Sequence, residues 1–145
     1  MNPMSAAGGA VLALAGLGLW ISVYFTGVYY RWFRPDVFWI PRVCRLEEKT
    51  CLTVLETPRA KLFGAPNSAF GIGLYLYVIA NFWLFPRWTG LVLIALALAR
   101  SAYLAYSLLF VTKVPCVLCF TSHAVNLGLF LIYLGTLQDV RFVLN

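Results

Sequence analysis

Pro115-Cys116-Val117-Leu118-Cys119-Phe120-Thr121-Ser122-His123-Ala124-Val125-Asn126 opens the last long apolar segment of the chain with a CxxC pair. At about 100° per residue, Cys116, Cys119, His123 and Asn126 fall within roughly 80° of one helix face. Apart from Ser122 and Tyr133 at its edge, the surroundings of that face are Leu, Phe, Val, Ala or Gly. Read as a helix, the stretch sets a dithiol, an imidazole and an amide along one stripe of an otherwise greasy surface.

The rest of the chain is equally apolar. Of 145 residues, 62% are hydrophobic and 11% charged, which is not the composition of a soluble domain. Four apolar stretches, near 9–30, 67–85, 89–111 and 116–137, reach the roughly 20 residues that a helix needs to cross a bilayer. The expectation is an all-α integral membrane protein, a four-transmembrane-helix bundle forming a single domain over 1–145. The first stretch does not read as a signal peptide, because residues 1–8 carry no Lys or Arg and the apolar run is too long for an h-region. The net charge of +6 sits beside the membrane, where it can meet anionic lipid. Nothing favours a nucleic-acid partner.

One long loop, Arg31 to Pro66, joins segments one and two. It follows an aromatic belt of Tyr24, Tyr29, Tyr30 and Trp32 and holds Cys44 and Cys51. Phe33, Phe38, Trp39, Ile40, Leu62 and Phe63 alternate there with cations. Such a mixture suits short amphipathic pieces lying on the bilayer as a lid, or a plain interfacial loop with snorkelling cations. Asn67 stands where a helix N-cap belongs. Phe85-Pro86 ends segment two, and Arg87 to Gly90 read as a tight turn into segment three. Arg100 lies near the middle of segment three, where a charge needs a polar cavity, a partner or an escape along a tilted helix. Lys113-Val114-Pro115 is a very short link to segment four, whose helix should begin near Cys116 with proline in its first turn. Segments three and four are therefore antiparallel, and all four cysteines converge on one membrane face.

Three chemistries are open to converging cysteines. In dithiol–disulfide exchange, the unpaired N–H groups and dipole at a helix start would favour the reactive thiolate of Cys116 or Cys119. Cys44 and Cys51 would then shuttle between a partner and the CxxC through mixed disulfides. A four-thiolate zinc site is the second, although Cys44 and Cys51 stand wider apart than a zinc knuckle. Two inert disulfides pinning the loop are the third. A c-type haem is excluded, since Phe120 rather than His follows Cys119. With no nucleotide, haem or iron–sulfur motif in the chain, a lipid-soluble quinone is the simplest electron acceptor for thiols at a membrane. Asn67 and His123 are the polar groups available to fix its oxygens, and imidazole, titrating near neutrality, could move a proton. His123 could equally be packed by a hydrogen bond to a neighbouring helix. Asn126 fits a helix–helix hydrogen bond better than a ligand contact.

CVLCFTSHAVN at 116–126, NSAFG at 67–71 and the spaced pair Cys44 and Cys51 together resemble the vitamin K epoxide reductase family, over nearly the whole chain. The resemblance implies a membrane thiol:quinone oxidoreductase that promotes disulfide formation, with menaquinone, ubiquinone or a similar quinone as acceptor. It implies that Cys116 and Cys119 are the active-site pair, with Cys119 nearest the quinone and Cys116 exchanging with Cys51. Cys44 would take electrons from a thioredoxin-like or other thiol protein. Asn67 would hydrogen-bond a quinone oxygen and Phe70 would wall the pocket. The family's animal enzymes carry Tyr where this chain has His123, so the resemblance supports quinone reduction more directly than epoxide reduction. The other four-helix quinone-linked disulfide oxidases place their CxxC in the first loop and the spaced pair in the second, the reverse of the order here.

Charge and resemblance disagree on orientation. Arg31, Arg34, Arg42, Arg45, Lys49, Arg59, Lys61 and Lys113 lie on the cysteine face, against Arg87 and Arg141 on the other. That bias predicts a cytoplasmic cysteine face, an arrangement suited to organisms with disulfide-rich intracellular proteins. Relatives usually place their thiols outside the cytoplasm.

Overall fold

The computed structural model describes residues 3–34, 51–114 and 116–143; Cys44 lies outside them. Among the described residues, four helices are long and apolar enough to span a membrane. They are α1 (Pro3–Tyr29), α3 (Asn67–Leu84), α4 (Arg87–Tyr106, continued by a π-helical turn, Ser107–Thr112) and α5 (Val117–Val143). A short helix, α2 (Cys51–Glu56), a 3₁₀ turn (Pro58–Ala60) and a two-stranded hairpin, β1 (Lys61–Leu62) and β2 (Ala65–Pro66), occupy the end of the long loop. The protein is thus an all-α, multi-pass membrane bundle. The 27 residues of α1 and of α5 make helices of roughly 40 Å, long enough to project beyond the hydrocarbon.

Each boundary has a local cause. α1 stops with Arg31 in the left-handed region (φ 61). There the Trp32 N–H donates to the Gly27 carbonyl at 2.7 Å and the Arg31 N–H to Val28 at 3.1 Å, the paired bonds of a Schellman ending. α3 begins one residue earlier than a capping Asn67 requires. Pro66 pairs with Lys61 across the hairpin and remains extended (φ −63, ψ 141) as the N-cap, leaving Asn67 as the first helical residue. The expected turn over Arg87 to Gly90 is instead the first turn of α4, because extended Pro86 is its N-cap. Thr89 Oγ1 donates to the Pro86 carbonyl at 2.7 Å, and Asn81 Nδ2 donates to the same carbonyl at 3.1 Å. α1 packs on α3 and α5, and α4 packs on α5.

Two buried clusters hold the bundle. One, at the cysteine end, joins Ile21, Tyr24, Phe25 and Val28 of α1 to Leu55 of α2 and to Cys116 and Leu118. The other runs through the middle and far end, where Val11, Tyr75, Val78, Ile94, Leu129 and Tyr133 meet. Gly90 lets α4 approach, since a Cβ there would collide with Asn81 and with the Tyr133 ring. Apolar side chains such as Leu12, Leu76, Leu84 and Leu131 are exposed on the outside, as lipid contact allows.

The loop's end is a set of short pieces with an apolar underside, as the lid reading expects. Leu55 is buried in the cysteine-end cluster, and Lys61 Nζ lies 5.5 Å from the centre of the Tyr29 ring. Phe63 and Gly64 both have positive φ (51° and 85°), the signature of a tight two-residue hairpin. The Phe63 ring points outward, 94% exposed.

Candidate functional site

The site grows from the start of α5. Phe120 N–H donates to the Cys116 carbonyl at 3.1 Å, so Cys116 holds the capping position and Cys119 falls in the first turn. The two sulfurs then part company. Cys116 is completely buried in the cluster with α1 and α2, whereas Cys119 is half-buried, a free thiol on the wall of a cavity. α2 begins with Cys51, one turn ahead of Leu55, which packs in the cluster around Cys116.

The cavity, about 580 Å³, lies between α3 and α4 with α5 behind it and the α2–β2 segment over it. That volume falls in the range of small-molecule sites. Phe25, Leu62, Phe70, Leu74, Leu104 and Leu108 give it apolar walls. Asn67, Arg100, Ser122 and His123 bring polar groups to the same space. The structure thus unites Cys119, Asn67, Phe70 and His123 around one cavity, and sets Cys116 behind its wall.

His123, one turn below Cys119, is the least satisfied of these groups. Both ring nitrogens are buried, and neither has a hydrogen-bond partner among the described residues. Its ring neighbour is Phe120, edge-on at 6.4 Å between centroids. The alternative of a histidine held by a neighbouring helix therefore finds no bond among the described residues. A buried polar group without a partner is costly, and a ligand with oxygens in the cavity would supply one. Asn126 is the opposite case. Its Oδ1 accepts from the Tyr75 hydroxyl at 2.8 Å, and its Nδ2 donates to Ser101 Oγ at 2.7 Å, so it ties α5 to α3 and α4 as expected.

Tyr75 and the partners of Arg100 escape a sequence reading. Arg100 Nη2 donates to the Arg59 carbonyl at 2.7 Å and to the Lys61 carbonyl at 3.4 Å. The guanidinium also lies 5.2 Å from the centre of the Tyr103 ring. It thereby links the middle of a membrane helix to the loop above it. Those contacts join residues about forty positions apart, which no local pattern signals.

The profile of the Vitamin K epoxide reductase family matches residues 10–134. The chain belongs to the vitamin K epoxide reductase family. The matched span contains all four cysteines together with Asn67, Phe70 and His123. Over 69 residues, 46% of this chain, it is 38% identical to vitamin K epoxide reductase complex subunit 1 of Mus musculus. A stretch of the same length is 39% identical to the subunit of that name from Rattus norvegicus. Each match spans 43% of the relative's length. A helical membrane bundle is the architecture of the vitamin K epoxide reductase family, and the cavity described above lies within it.

Proposed function

We propose that the protein is a membrane thiol:quinone oxidoreductase. The observation that carries this reading is the shared cavity of Cys119 and His123, in which a thiol and two unpartnered imidazole nitrogens meet between apolar walls. Family membership supports redox chemistry of the vitamin K epoxide reductase type. A quinone, when bound, supplies an acceptor for two electrons and two protons.

The residues divide the work. Cys44 takes electrons from a thioredoxin-like or other thiol protein, whose dithiol becomes a disulfide. Cys51 passes them to Cys116 by thiol–disulfide exchange, which needs a mixed disulfide and no outside oxidant. Cys119, at the first turn of α5, gives up the pair as Cys116 and Cys119 close their own disulfide. His123 offers a ring N–H to a quinone oxygen and can move a proton there. Asn67 Nδ2 holds the other oxygen, and Phe70 packs against the ring. The two protons released by the thiols balance the two taken up. Cation bias supports a cytoplasmic cysteine face, against the habit of relatives.

Purified protein supplied with a dithiol and 2-methyl-1,4-naphthoquinone should reduce the quinone well above the enzyme-free rate, and Cys119→Ser should abolish that excess. A folded wild-type protein with no excess rate on several quinones refutes the reading.

A further inference from the structure

Arg100 is the fourteenth residue of the 26-residue span Arg87–Thr112, midway along a helix long and apolar enough to cross the membrane. The guanidinium carries a charge there, and charge at that depth is tolerated only with strong compensation. What it has is partial. Two backbone carbonyls, of Arg59 and Lys61, accept from Nη2, while Nε is buried with no hydrogen-bond partner among the described residues. The described residues lining the cavity include two arginines, Arg59 and Arg100, and no Asp or Glu. Among the described residues, the apolar cavity thus carries positive charge with no carboxylate on its lining.

Its position matters as much as its charge. Ser101, the next residue, accepts from Asn126, which stands three residues beyond His123 on α5. From that level the Arg100 side chain reaches to the 59–61 backbone that roofs the cavity. The guanidinium thus stands at the roof of the cavity that Cys119 and His123 also line, held in place by the roof backbone. A charged donor fixed before the ligand arrives discriminates by ligand charge.

We propose that Arg100 is a specificity-determining residue that makes the cavity prefer a quinone-like ring bearing an ionised oxygen over its neutral counterpart. The inference rests on the quinone reading and deepens it. Neutral quinones gain only a hydrogen bond from the guanidinium, whereas an ionised ring oxygen gains a charge-assisted one. Loss of the cation removes that difference and leaves the apolar contacts.

Equilibrium binding to the full-length protein in detergent micelles tests this with two probes, by quenching of tryptophan fluorescence. One is 2-hydroxy-1,4-naphthoquinone, which is anionic at neutral pH; the other is neutral 2-methyl-1,4-naphthoquinone. Wild type should favour the anion, and Arg100→Gln should lower that preference by about tenfold or more, with neutral binding changed less than about threefold. Arg100→Lys, which keeps the charge, should retain most of the preference, and neutral binding shows that each variant is folded. An equal loss for both probes would make Arg100 a latch for the roof alone and overturn the proposal. Loss of the preference in Arg59→Gln but not in Arg100→Gln would overturn it too. If wild type bound neither probe, the quinone reading itself would fall, and charge selection with it.

Discussion

Replacing His123 by Phe should make the ligand-free protein more stable by about 1 kcal/mol and leave the liganded one about as stable as the wild type. The two imidazole nitrogens are buried without hydrogen-bond partners, and an orphaned polar group costs about 1–3 kcal/mol. The cavity is open enough to admit some water, so the lower end applies, a gain of about 1 kcal/mol for a near-isosteric apolar ring. A ligand hydrogen bond worth about 1 kcal/mol disappears at the same time, which weakens quinone affinity roughly fivefold. At a quinone concentration of about 100 times the wild-type Kd, binding stabilises the wild type by about 2.7 kcal/mol. With Kd raised fivefold, the same concentration stabilises the variant by about 1.8 kcal/mol. The assay is chemical unfolding in detergent micelles, followed by tryptophan fluorescence, with and without 2-methyl-1,4-naphthoquinone. A ligand-free His123→Phe protein that is less stable than wild type refutes the reasoning, because it would mean that the imidazole is already satisfied.

Three further outcomes follow from the packing and from the polar contacts. A double-mutant cycle of Tyr75→Phe and Asn126→Leu should give a coupling of about 0.6 kcal/mol and no more than about 1.7, read from unfolding midpoints, since the two side chains share one bond at 2.8 Å. Gly90→Ala should destabilise by about 1–3 kcal/mol through its collision with Asn81 and Tyr133; Gly16→Ala, with nothing near its Cβ, should be neutral or stabilising by up to about 1 kcal/mol. Orientation is best read at Glu56, which is exposed beside the cavity's roof, whereas Thr57 lines the cavity and donates to the Val54 carbonyl. Glu56→Cys should resist an impermeant maleimide in intact cells if the cysteine face is cytoplasmic, and ready labelling would reverse that assignment.

The bundle was legible because a membrane leaves few choices. Unbroken apolar runs must be helices when no water can satisfy the backbone, and the ends of α3 and α4 fall within two residues of expectation. α1 and α5 reach further, to Pro3 and Val143, because a helix need not stop where its apolar run does. Asn67 was misread as a cap because its neighbour decides the matter. Pro66 is drawn into the hairpin by Lys61, and that pairing cannot be seen in a local window. The stripe of Cys119, His123 and Asn126 was visible from helical periodicity alone, but the division of labour along it was not. Asn126 is satisfied by Tyr75 and Ser101 from two other helices, while His123 meets no such partner. Only the three-dimensional neighbourhood separates them.

The unequal burial of Cys116 and Cys119 has the character of a sealed feed-through in a wall. A molecule in the cavity can touch one sulfur; whatever reaches the other must come from the side of α1 and α2. One turn of helix sets one sulfur on a lining open to small molecules and the other inside packed side chains. On the proposed function, a bond made or broken between the two sulfurs would carry electrons across that partition without the oxidant meeting the reductant.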